Sequence, residues 1–175
     1  MTDYAKDVLV STDWVEEHLN DDQVRIVEVD ENPALYDEAH IPGAIGFDWK
    51  QDLQDSIRRS FLGPAEFAEL MGRRGISNEH TVVLYGDRNN WFAAYTYWYF
   101  RYYGHEAVKL MNGPREKWIA EERETSDVVP DLSPEDFFVL RTSTSRVAVP
   151  SEASTRSRSA RMESSVRSTK KSSGE

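Results

Sequence analysis

The stretch His40-Ile41-Pro42-Gly43-Ala44-Ile45 is the most informative part of this 175-residue chain. Proline fixes its own φ and glycine tolerates a positive φ, so Pro42 and Gly43 together predict a tight turn. Ala44 is small enough to lead the chain beneath a neighbouring helix, and His40 can hydrogen-bond around the turn. The motif is therefore predicted to shape a scaffold and to take no part in chemistry.

Strands and helices alternate on both sides of this turn. Apolar and β-branched runs predict strands at 8–10, 24–30, 44–49, 81–85 and 108–111, and amphipathic patterns predict helices at 13–19, 64–71 and 115–122. The strand at 81–85 is apolar on both faces, as in the centre of a parallel sheet. Residues 91–103 are apolar or aromatic all round and predict a helix that is buried on most sides. The fold class is α/β, a three-layer sandwich with a mostly parallel central sheet flanked by helices.

Composition divides the chain into a folded part and a tail. Residues 141–175 hold eight Lys and Arg against three acids, a net charge of +5, whereas residues 1–140 hold 13 against 28, a net charge of −15. All 20 aromatic residues precede position 139, so the tail offers little to build a core. We therefore expect a domain at 7–125, a linker at 126–140 and a disordered Ser/Arg-rich tail at 141–175.

The residue content also excludes several classes of function. The chain contains no cysteine, which rules out disulfides, thiolate zinc sites and cysteine nucleophiles, and which fits a reducing cytoplasm. An acidic surface repels phosphate backbones, so no nucleic acid is expected on the folded domain. The apolar run at 91–100 is too short to span a bilayer, and no membrane association is predicted.

Several motifs in order resemble those of a rhodanese domain. They are Tyr36-Asp37-Glu38-Ala39 followed by the turn motif, Val82-Val83-Leu84-Tyr85-Gly86 followed by Asn90-Trp91-Phe92, and Leu110-Met111-Asn112-Gly113-Pro114-Arg115-Glu116-Lys117-Trp118. The resemblance covers roughly residues 7–125 and is closest to the N-terminal, non-catalytic domain of tandem-domain thiosulfate sulfurtransferases. It implies the rhodanese-like fold and marks His40, Pro42, Gly43 and Ala44 as a structural family motif.

The resemblance also implies what is missing. In active rhodanese-like domains a nucleophilic cysteine follows the central strand, and loop N–H groups and a helix N-terminus surround its sulfur. Here Gly86 occupies that position, so no catalytic residue is assigned and the chain is expected to be silent in sulfur transfer by itself. The candidates for a binding loop are Gly86, Asp87, Arg88, Asn89, Asn90 and Trp91. Because Asp87 adds negative charge, a thiosulfate-like anion is expected to bind weakly if at all.

In the tandem family a second domain carries the cysteine, and the cleft lies between the two domains. The resemblance therefore implies a second rhodanese domain or another cysteine-bearing partner. Trp91, Phe92 and the Asp30-Glu31 loop would face that partner, although core packing is the favoured interpretation for Phe92. The alternative function is a non-enzymatic anion- or partner-binding regulatory module.

No metal or other cofactor is predicted, and a hydrolase or metal enzyme is disfavoured. His18, His40, His80 and His105 lack a paired ligand spacing, and no serine stands in a nucleophile elbow.

The change of character near residue 140 leaves two hypotheses for the tail. It is either a reading-frame product or a genuine basic, serine-rich tail that binds acidic partners or is phosphorylated, with Arg156, Arg158 and Arg161 as contact candidates. Translating the other two frames downstream of codon 139 tests the first hypothesis, which fails if neither frame encodes a cysteine-bearing rhodanese domain.

Overall fold

The computed structural model describes residues 8–54, 60–140 and 146–148 of the chain. Its elements are, in chain order, β1 (Leu9–Val10), α1 (Thr12–Glu17), β2 (Val24–Val29), α2 (Ala34–Glu38), β3 (Ile45–Phe47), α3 (Pro64–Arg73), β4 (Thr81–Tyr85), α4 (Asp87–Tyr102), β5 (Val108–Met111), α5 (Arg115–Ala120), β6 (Phe138–Leu140) and β7 (Arg146–Ala148). The five predicted strands and four predicted helices are confirmed, with ends that differ by a few residues. The short helix α2 was not predicted.

The central sheet is parallel throughout, with the strand order β1-β5-β4-β2-β3. Strand β4 lies in the middle and is covered on both faces. On one face Leu84 joins a core that includes Phe67 of α3 and Tyr99 of α4, and on the other face Val15 of α1 and Trp118 of α5 close a second core. The three-layer α/β architecture is confirmed. Because all strands run the same way, the loops after β2, β4 and β5 meet at one edge of the sheet.

Helix α4 is buried along one side only. Ala93, Tyr99 and Phe100 are fully buried against the sheet, whereas Trp98 is 40% exposed and Tyr102 is 63% exposed. The prediction that this segment is buried on most sides is wrong for its outer face, because no described element covers that face. Among the described residues no helix has the length and apolar character needed to cross a bilayer.

Residues 126–140, which the sequence assigns to a linker, run along the domain surface and enter its core. The Glu135 N–H donates to the Gly72 carbonyl of α3 at 2.9 Å, and the Asn78 side chain donates to the Phe138 carbonyl at 2.9 Å. Phe137 and Val139 are each 1% exposed. Strand β7, the described part of the predicted tail, pairs antiparallel with β6, and the rest of that tail lies outside the described residues.

Candidate functional site: the loop after the central strand

The candidate loop begins at the end of β4, where Gly86 is buried. Its N–H donates to Asn90 Oδ1 at 3.0 Å, and its carbonyl accepts the N–H of Arg115 at 2.8 Å. The Asp87 N–H donates to Asp30 Oδ1 at 2.7 Å. Both of these backbone donors, which could have faced an anion, are therefore engaged by side chains of the chain itself.

Three consecutive residues after Asp87 adopt left-handed backbone geometry. Arg88, Asn89 and Asn90 have φ values of 49°, 58° and 62°, a conformation that costs a non-glycine residue about 1 kcal/mol or more. The Asn90 carboxamide holds the turn in place, because its Nδ2 donates to the carbonyls of Met111 at 2.8 Å and Gly113 at 3.0 Å. Right-handed helical geometry begins at Trp91, where the sequence predicted the helix to start.

Two carboxyl groups lie directly against the loop. Asp87 is 5% exposed and its Oδ1 accepts the N–H of Glu31 at 2.7 Å. Asp30 is 1% exposed, and its Oδ2 is buried without a hydrogen bond from any described residue. Burial, together with the neighbouring carboxyls of Glu28 and Asp87, raises the pKa of Asp30 to about 9. We therefore expect Asp30 to be protonated at neutral pH.

Beneath the loop lies a buried ion pair. Glu28 Oε1 accepts from Arg115 Nε at 3.1 Å, with 1% and 11% of the two side chains exposed. Glu28 Oε2 accepts from the Tyr85 hydroxyl, which in turn accepts the Ile41 N–H at 2.9 Å. Burial raises the pKa of Glu28, and the hydrogen bonds from Tyr85 and Arg115 oppose that shift. The network ties the turn motif to the end of β4.

The exposed rim of the loop combines charge with aromatic surface. Arg88 forms an ion pair with Glu31 at 2.8 Å, with 71% and 51% of the side chains exposed. Trp91 is 72% exposed. Beside it the half-buried Phe92 stacks on Trp49 with ring centroids 4.3 Å apart. Arginine and tryptophan are the residues that most often anchor protein interfaces.

The predicted binding-loop residues therefore divide into two groups. Gly86 and Asp87 are buried and Asn90 is half-buried, and their contacts shape the loop. Arg88, Asn89 and Trp91 are exposed and are available to a partner.

The turn motif lies beside this network and makes structural contacts. Gly43 has a φ of 76°, which is the left-handed conformation that the turn requires. His40 bonds through Nδ1 to the Tyr36 carbonyl at 2.7 Å and through Nε2 to the Val128 carbonyl at 3.1 Å. Ala44 is completely buried, as its small size predicts.

Sequence reasoning missed the buried network of Glu28, Tyr85 and Arg115. The available signal was Glu28 itself, a charged residue within an otherwise apolar strand, because a buried charge requires a partner. Among the described residues no group of three His, Asp or Glu side chains could hold a metal ion.

A family model described as "Rhodanese-like domain" matches residues 11–121. The chain belongs to the rhodanese family. The matched residues 11–121 include the central strand and Gly86, which follows it.

Its relatives are longer proteins. The chain is 54% identical over 141 residues to the "Putative thiosulfate sulfurtransferase" of Haloferax volcanii, a match that covers 78% of this chain and 49% of the relative. It is 57% identical over 133 residues to the "Sulfur carrier protein TtuD" of Thermus thermophilus, covering 76% of this chain and 47% of that protein. The rhodanese chain therefore spans about half the length of these curated relatives.

Solved structures support the fold. SseA from Escherichia coli, described among 3-mercaptopyruvate sulfotransferases, superposes with a TM-score of 0.68 at 23% identity, covering 81% of this chain and 56% of SseA. At that identity the likeness concerns the fold alone.

Proposed function

We propose that this rhodanese domain is the cysteine-free half of a two-domain thiosulfate sulfurtransferase, corresponding to the N-terminal half. In this role it lines the substrate cleft of a cysteine-bearing rhodanese domain and catalyses no sulfur transfer alone. One observation carries the proposal: the residue after the central strand is Gly86, and the chain has no cysteine to accept sulfur. Relatives of twice the matched length supply the rationale for a second domain.

The exposed rim of the loop supports the cleft-lining role. Trp91 is the most exposed large hydrophobic side chain of the described residues, and Arg88 beside it is well solvated. An exposed tryptophan gains from burial against a partner domain, whereas the charge of Arg88 is offset by its ion pair with Glu31. The buried Asp87 disfavours anion binding within the loop itself, so the anion is expected to be held by the partner domain.

A chimera tests this role. The matched half of the Haloferax volcanii relative is replaced by residues 1–140 of this chain, and thiocyanate formation from thiosulfate and cyanide is compared with that of the intact relative. We expect turnover within about tenfold of the parent, because the two chains are 54% identical over 141 matched residues. A folded chimera without turnover, as judged by circular dichroism, contradicts the proposal.

A matched pair of variants in the chimera then tests the rim. Trp91→Ala is expected to lower kcat/KM by about tenfold or more, as loss of an interface anchor does. Trp98→Ala removes another exposed tryptophan of the same helix, seven residues away, and is expected to leave kcat/KM unchanged. Equal effects of the two substitutions count against a cleft position for Trp91.

The second candidate is a regulatory module that binds an anion or a protein at the same loop, favoured by the exposure of Trp91. Titration of the chain with thiosulfate, sulfate or phosphate, followed by tryptophan fluorescence, separates the two candidates. A saturable change that Trp91→Phe abolishes favours the regulatory module, and the absence of any change favours the cleft-lining role.

A further inference from the structure

Gly86 has no room for a side chain. A Cβ built on this residue lies 2.1 Å from the Val29 carbonyl oxygen, 2.8 Å from the Val29 carbonyl carbon and 3.2 Å from Asp30 Oδ1. The first two atoms belong to the backbone of β2, which is fixed by pairing with β3 and β4. The obstruction cannot be relieved by rotating a flexible side chain.

A side chain at position 86 is excluded by its contacts with neighbouring atoms and not by the backbone conformation of Gly86. Gly86 has a φ of 177° and a ψ of −171°, an extended geometry that any residue adopts. Its peptide is held on both sides, because its N–H bonds to Asn90 and its carbonyl bonds to the Arg115 N–H. A larger residue would have to displace the loop or the end of β2.

The electrostatic surroundings disfavour a thiolate as well. The carboxyl groups of Asp30 and Asp87 lie next to position 86, and both are buried. The nearby cations are already paired, Arg115 with Glu28 and Arg88 with Glu31 at the surface. Burial and the negative charge of Asp87 raise the pKa of a thiol at this position, which is the reverse of what an attacking cysteine needs.

We propose that position 86 is closed to a nucleophile by the path of the backbone, so that a cysteine restored there does not become a working sulfur acceptor. The domain is built around glycine at this point and is not an active rhodanese loop from which only a cysteine has been lost. This inference goes beyond the proposed function, because it concerns what the loop can be made to do.

Two substitutions at Gly86 and one control test the steric part in the full chain. Gly86→Ala and Gly86→Cys are both expected to lower Tm by roughly 5–15 °C, since even one added carbon overpacks the site. Gly63→Ala is the control: its φ is −70°, and an added Cβ there would meet the flexible Glu66 carboxylate at 2.4 Å. A Gly86→Ala variant with the Tm of the parent overturns the proposal, and a Gly86→Cys variant that fails to fold supports it.

The introduced thiol is the only one in the chain, so its chemistry can be read directly. At neutral pH the reaction of Gly86→Cys with an aromatic disulfide reagent is expected to be at least tenfold slower than that of Ala94→Cys, a cysteine placed on the exposed side of α4. Thiocyanate formation by Gly86→Cys is expected to stay at the blank. A fast-reacting thiol, or turnover of thiosulfate, overturns the proposal.

The proposed function is tested by a separate experiment, the chimera with the Haloferax volcanii relative, in which Gly86 is unchanged. A folded chimera without turnover contradicts the proposed function and leaves the inference about position 86 standing.

Discussion

The carboxyl group of Asp30 makes the stability of the domain depend on pH in an unusual direction. In the folded state its pKa is about 9, whereas an ordinary aspartic acid has a value of 3.8. Between these values the folded state holds one more proton than the unfolded state, so the free energy of unfolding falls as pH rises. The slope reaches about 1.4 kcal/mol per pH unit for one proton, or about 4 kcal/mol from about pH 5 to about pH 8.

Asp30→Asn replaces the titrating carboxyl group by an amide. The amide oxygen of the asparagine can still accept the hydrogen bond from the Asp87 N–H. The difference in unfolding free energy, variant minus parent, is therefore expected to rise with pH over that interval by up to about 4 kcal/mol. Buried His80 and His105, whose pKa values are lowered by burial, are present in both proteins and cancel in the difference. Urea unfolding at several pH values measures it.

Asp22→Asn, the same substitution in the exposed turn before β2, is the matched control and is measured over the same pH values. If the Asp30→Asn and parent curves are parallel from about pH 5 to about pH 8, Asp30 is ionised in the folded protein and its pKa is not raised.

Three further predictions concern packing and charge. Arg115→Met is expected to cost about 3–5 kcal/mol in urea unfolding, because it leaves Glu28 buried without its cation, and the double variant with Glu28→Gln is expected to cost less than the single one. Phe137→Ala is expected to lower the free energy of unfolding by about 3–5 kcal/mol, and Phe138→Ala is expected to lower it clearly less. Equal losses for the two variants would show that residues 126–140 do not anchor the core. Raising sodium chloride from about 0.1 M to about 1 M is expected to raise Tm by several degrees, because it screens the repulsion within the acidic domain, and a constant or falling Tm would contradict this.

The sheet was predictable because its strands carry a strong local signal. Val82, Val83 and Leu84 are apolar on both faces, which only a central, doubly covered strand tolerates. The tight turn was equally local, since Pro42 and Gly43 determine it through their own backbone preferences.

Other features depend on contacts that a local pattern does not contain. Helix α2 has five residues and no side-chain cap, so its signal is weak. The left-handed turn at residues 88–90 is imposed by Asn90, which reaches Met111 and Gly113 some 20 positions away. Helical periodicity could not tell which aromatic side chains of α4 would remain uncovered, because exposure depends on neighbouring elements.

The sequence places the candidate site at the residues that follow β4, but the surroundings of that loop come from other parts of the chain. The sequence revealed that Gly86 lacks a thiol, whereas the Val29 carbonyl that fills the space beside it comes from another strand. The raised pKa of Asp30 likewise follows from its burial beside Glu28 and Asp87.

The inactivity of this chain in sulfur transfer is tested by the rate at which the purified 175-residue chain forms thiocyanate from thiosulfate and cyanide. With no thiolate to accept sulfur, the rate is expected to equal the protein-free blank at every protein concentration. A rate that rises in proportion to the concentration of the chain, and that is lost on heat denaturation, would contradict the account.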